Sequence, residues 1–173
     1  SDEDTVVIAG DVSWGMRIEE AEADFRFLES LPGHKIVLKG NHDYWWNTKN
    51  KMDKFFAEKG FDTLNILHNN HYEYEGIGIC GSRGWINETE EPADKKVLAR
   101  EAGRLTMSIE SALKAGLEPV AFLHYPPIYG TSCNYDMLEV LHKYNIRWCF
   151  YGHIHGRGKD YAINGCRDGV NYR

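Results

Sequence analysis

The sequence is short of the features that mark several large functional classes. No apolar run is long enough to cross a membrane, and the first residues carry no signal-peptide pattern. A cytoplasmic protein is the expectation. Basic residues are outnumbered, 20 Lys and Arg against 26 Asp and Glu, giving a formal charge of −6. That balance disfavours a protein that coats nucleic acid or binds an anionic membrane. It leaves phosphorylated substrates open, because bound cations supply positive charge locally. Cysteine is sparse. Cys80, Cys133, Cys149 and Cys166 show no close pairing and fall in or near apolar stretches, so they read as buried free thiols in a reducing compartment. Repeats, low-complexity tracts and linkers are absent. The 173 residues suffice for one domain with a good core, spanning 1–173.

What is present is a set of apolar runs that end in chemistry. Thr5-Val6-Val7-Ile8-Ala9 runs into Gly10-Asp11, and Lys35-Ile36-Val37-Leu38-Lys39 runs into Gly40-Asn41-His42-Asp43. Val120-Ala121-Phe122-Leu123 ends at His124, and Trp148-Cys149-Phe150-Tyr151 ends at Gly152-His153-Ile154-His155. Ligands of open α/β sheets sit outside the carboxyl ends of the strands, so these four ends would deliver their polar groups to one rim. A carboxylate, an amide oxygen and imidazoles together suit a metal site. His153 and His155 alternate, and alternate residues of a strand share a face. Singly, Asp11 and Asn41 could be turn residues and His124 a satisfied core histidine.

The rest of the chain reads as mixed α and β. Ile18, Ala21, Phe25 and Leu28 keep a helical period, a second helix surrounds Met52, Phe55 and Phe56 and closes at Gly60, and a β-α-β unit results. Ile66-Leu67-His68 and Tyr72–Cys80 read as hairpin-like strands about Asn69-Asn70. Gly84–Asp94 reads as a surface loop, followed by a long helix over Leu98–Ala112 and another around Met137 to Leu141. Tyr161–Tyr172 reads as a hairpin turning at Asp168-Gly169. Tyr44, Trp45 and Trp46 read as packing residues in the core or at the site's rim. Arg83, in Gly81-Ser82-Arg83-Gly84, could bind a phosphate, with a surface arginine as the default, and His34, His68, His71 and His142 read as surface groups.

Taken in order, Gly10-Asp11, Gly40-Asn41-His42-Asp43, His124 and Gly152-His153-Ile154-His155 resemble the motifs of the calcineurin-like metallophosphoesterases. The resemblance implies two stacked mixed β-sheets flanked by helices, a four-layer α-β-β-α sandwich. It implies two divalent transition-metal ions, Mn, Fe or Zn, about 3.5–4 Å apart. Asp11 would bridge them, Asn41, His124 and His153 would complete one site, and His155 would serve the other. His42 would be the general acid, with Asp43 fixing its tautomer. The implied activity is hydrolysis of a phosphomono- or phosphodiester in a small molecule or nucleotide. One motif of the family, an opening Asp-x-His on the first strand, has no counterpart before Gly10. The expectation is a chain lacking that strand, truncated at both ends, with its second metal site incomplete. The rival reading is a non-catalytic or single-metal scaffold of the same fold. A nuclease is disfavoured by the acidic balance.

Overall fold

A computed structural model describes residues 1–86 and 91–173. The β-α-β unit at the start is realised. β1 (Thr5–Ile8) pairs in parallel with β2 (His34–Val37), and α1 (Glu22–Glu29) connects them. α2 (Lys49–Lys59) then leads to β3 (Leu64–Ile66), which lies parallel on the other side of β2. Each crossover carries a helix, so the three strands run the same way and this first sheet is wholly parallel, not mixed. α2 ends at Gly60, whose left-handed backbone (φ 68°) a side chain would resist.

The second sheet is mixed and twice as wide. It contains β4 (Tyr72–Tyr74), β5 (Ile77–Ser82), β6 (Glu118–Leu123), β9 (Trp148–Tyr151), β10 (Gly165–Arg167) and β11 (Val170–Tyr172), in the order β10-β11-β9-β6-β5-β4. A small hairpin of β7 (Ile128–Tyr129) and β8 (Ser132–Cys133) stands apart. α3 (Pro92–Lys114) precedes β6, and α4 (Tyr135–Lys143) precedes β9. The buried Asn134 caps α4 by accepting the Met137 N–H.

Two local expectations are corrected. Asn69-Asn70 does not turn a hairpin: β3 closes the first sheet and β4 opens the second, and the antiparallel pair is β4–β5. Its two-residue turn is Glu75-Gly76, both at positive φ, like Asp168-Gly169 between β10 and β11. The segment read as a loop up to Asp94 already contains the start of α3. Pro92 stands in its first turn, where a missing N–H costs nothing. Residues 87–90 of that segment lie outside the described ones.

Three separate cores show the layering. Phe25, Met52, Phe55 and Phe56 pack α1 and α2 on the outer face of the first sheet. Ile36, Leu38, Leu67 and Ile79, with Val7 and Phe122, fill the space between the sheets. Leu105, Ile109, Met137 and Leu141 pack α3 and α4 on the outer face of the second. The order is α-β-β-α, as the resemblance implies. Among the described residues β1 pairs on one side only. Beyond it, Thr5 and Val7 face Ile79, Phe122, Trp148 and Phe150 across an apolar groove of about 370 Å³.

Candidate metal centre

The ends of β1 and β2 meet backbone to backbone. A Cβ on Gly10 would lie 2.5 Å from the Gly40 Cα, and one on Gly40 would lie 2.1 Å from Asp11 Oδ1. Only glycine permits that approach. It throws Asp11 into a left-handed backbone (φ 57°), a conformation that Asp tolerates better than most residues.

Asp43 locks the arrangement. Its carboxylate is fully buried and accepts five N–H donors. These are the backbone of Asp11 (2.8 Å), Val12 (2.9 Å), Ser13 (3.2 Å) and Gly40 (2.7 Å), and Trp45 Nε1 (3.0 Å). The expectation for Asp43 is to hold the His42 tautomer, with a turn or capping role beside it. Its oxygens are spent on the two strand-end loops, and the His42 ring takes a different partner. His42 Nδ1 lies 3.1 Å from the Tyr44 hydroxyl, and its ring stacks on Trp14 at 3.9 Å and 9°. The His42 backbone N–H donates to Asp11 Oδ1 at 2.9 Å, leaving Asp11 Oδ2 turned toward His124, 3.7 Å from its Nε2. Trp14 was hidden in a turn-like stretch; the signal available was a large aromatic residue three positions after Asp11.

The decisive geometry lies around Asn41. His124 is 1% exposed, and its Nδ1–H donates to the Ala9 carbonyl at 2.7 Å. Burial holds its pKa below the ordinary imidazole value, outweighing Asp11 and the Ala9 bond. The ring is therefore neutral with a bare lone pair on Nε2. That lone pair is 2.7 Å from Asn41 Oδ1, itself only an acceptor, and 3.1 Å from His153 Nδ1. His153 Nδ1 is 3.0 Å from the same Asn41 oxygen. Lone pairs so crowded repel one another. A cation placed among them would satisfy all of these atoms at once. One ligand atom each from Asp11, His124 and His153 lies within 4.8 Å of the others. The mixed N and O donor set, without thiolate, fits a divalent transition metal.

His153 reaches the site by a route other than the expected one. β9 stops at Tyr151, and His153 sits in a loop with a left-handed backbone (φ 68°), so it and His155 are not alternate residues of a strand. His155 is exposed and stands outside the cluster. It lines, with His153, a neighbouring cavity of about 420 Å³ walled by Tyr125, Tyr129, Pro126 and Ile154. Three groups read as surface residues are not; His71 is half-buried, with Nδ1 2.6 Å from Ser111 Oγ. The Arg83 side chain is only 12% exposed, and His68 is half-buried beside Arg104. Of the aromatic triplet, Trp45 is core and Tyr44 is exposed at His42. Of the cysteines, Cys80 and Cys149 are buried, but Cys166 is exposed; all four are free.

The family model for calcineurin-like phosphoesterases matches residues 1–157. The chain belongs to this family. Phosphoesterase chemistry with divalent metal ions and phosphorylated substrates is thereby the family's general character. A solved structure superposes on 90% of this chain with a TM-score of 0.57 at 16% identity, a likeness of fold alone. The chain spans 62% of that structure's length. No curated protein matches the sequence. Among the described residues no helix is long and apolar enough to cross a membrane.

Proposed function

We propose that this chain is a metal-dependent hydrolase of a phosphomono- or phosphodiester. Asp11 Oδ2, Asn41 Oδ1, His124 Nε2 and His153 Nδ1 would hold one Mn, Fe or Zn ion, and His155 with Asp11 would contribute to a second. When bound, such ions acidify a water and draw charge from the phosphoryl oxygens. The observation that carries the reading is the convergence of Asp11, His124 and His153, each with one ligand atom within 4.8 Å of the others, on the Asn41 side-chain oxygen.

The chain's own residues do the remaining work. Stacking on Trp14 and the Tyr44 hydroxyl on Nδ1 hold the His42 ring, leaving Nε2–H to donate a proton to the departing oxygen. Asp43 acts at one remove, by fixing the loops that carry Asp11 and His42. The cavity beside His153 has aromatic and aliphatic walls, which suits a flat alcohol such as a nucleoside or aryl group. The site of action we propose is the cytoplasm, in keeping with four free thiols.

Turnover of aryl and nucleoside phosphoesters with added Mn tests the reading, with metal analysis alongside. Asp11→Asn should lose both metal and activity; a variant keeping both would sink the assignment. The rival is a single-metal scaffold, favoured by the short supply of ligands around His155. Joining a strand ending in Asp-x-His ahead of β1 separates the two. Metal per chain should rise from about one to about two, and turnover with it. A scaffold would gain no turnover.

A further inference from the structure

Next to the metal centre lies a surplus of half-buried positive charge. Arg83 follows β5 directly, and Arg104, 27% exposed, faces it from α3. Both share one acid: Glu101 Oε1, on a side chain 4% exposed, is 3.5 Å from Arg83 Nη2 and 3.7 Å from Arg104 Nε. Arg100 reaches the same oxygen, its Nε 3.9 Å from Glu101 Oε1. Among the described residues one carboxylate therefore answers three arginines. Charge taken from water without a partner is costly, and proteins seldom leave it so.

Two donors in the same neighbourhood are unspent. Arg83 Nε and Trp46 Nε1 are buried and have no acceptor. Each is one neighbour away from Arg104: Arg83 through Glu101, and Trp46 through His68. The Trp46 ring is 5.8 Å from the His68 ring, whose nitrogens lie 2.9 and 3.1 Å from Arg104 Nη1. His68 supplies no compensating charge. Burial first, and then Arg104 and Lys39, push its pKa down to about 4. A native protein satisfies nearly all of its buried donors, so unspent ones beside surplus cations point to an acceptor-rich anion.

We propose that Arg83, Arg104 and Trp46 form a binding site for a phosphoryl group, separate from the metal ligands and adjoining them. The adjacency runs through the backbone. The Tyr125 N–H donates to the Arg83 carbonyl at 2.9 Å, and Tyr125 follows His124. The group bound is either a second phosphate on the substrate, whose scissile phosphate lies at the metals, or free inorganic phosphate. The first source rests on the phosphoesterase reading; the site itself does not.

The experiment titrates inorganic phosphate into the metal-loaded chain by calorimetry, with Arg104→Gln and Arg83→Gln alongside. Two phosphate sites are expected in the wild type. Each variant should weaken one of them about tenfold or more, the scale of a lost charge-assisted contact, at unchanged metal content. Melting curves confirm that the variants fold, and the half-exposed Arg104 gives the safer of the two. A single site in the wild type, or unchanged affinities in both folded variants, overturns the proposal. Kinetics then separate the sources. A fall in kcat/KM for bisphosphorylated but not monophosphorylated substrates identifies the substrate's second phosphate. A change confined to inhibition by added phosphate identifies the free ion. If no phosphoester is turned over, the two-site phosphate titration still stands, so the two readings fail separately.

Discussion

His42 and Asp43 are neighbours in sequence that do unrelated jobs. His42→Ala removes a proton donor and a stacked ring, and touches no metal-facing atom. Turnover should fall about 10²–10⁴-fold with metal content nearly intact. Loss of metal in that variant would contradict the assigned role. Asp43→Ala instead strands five donors inside the protein. It should cost at least ~3 kcal/mol of stability, read by urea denaturation, and should lower metal content because the Asp11 loop loses its anchor. Asp11, Asn41, His124 and His153 were legible because amides, carboxylates and imidazoles are an unprofitable way to end a buried strand. The work of Asp43 was not legible. Its partners Asp11, Val12 and Ser13 lie some thirty positions away, and adjacency to His42 draws attention elsewhere. The same distance in sequence hid the pairing of His68 with Arg104.

At the scale of elements, the site depends on two loops that pack without side chains between them. A methyl group at Gly40 meets Asp11 Oδ1 at 2.1 Å, so Gly40→Ala must displace a ligand or separate the strand ends. We expect a folded protein with little bound metal, checked by metal analysis and circular dichroism. Full metal occupancy in that variant would show that the loops have slack the geometry denies. The helices were readable from their period and from Gly60 and Gly116, which stop α2 and α3 in left-handed conformations. The boundary between the sheets was not. Leu64–Ile66 and Tyr72–Tyr74 are both short strands with a polar turn between them, and local patterning cannot say that consecutive strands join different sheets.

Across the whole molecule, acid should be destabilising well above the carboxylate range. His68 titrates near 4 in the folded chain against an ordinary value of 6.5, so the unfolded chain takes up its proton first as pH falls. The stability linked to this group is complete above about 6.5 and is lost progressively toward 4. Burial depresses His124 and His153 in the same direction. Melting midpoints should therefore fall between pH 6.5 and 4, and less steeply in His68→Gln; equal slopes would show that His68 does not titrate as described. The one-sided pairing of β1 leaves a different signature, in isotope exchange. Asp4 and Ile8 turn their carbonyls to the His34 and Leu38 N–H groups of the neighbouring strand segment. The alternation of a strand sets Val6 with them and aims the Thr5 and Val7 amides at the open edge. In deuterated water the protons of Val6 and Ile8 should persist while those of Thr5 and Val7 are lost early. That alternation of slow and fast along four residues should fade when another strand occupies the edge.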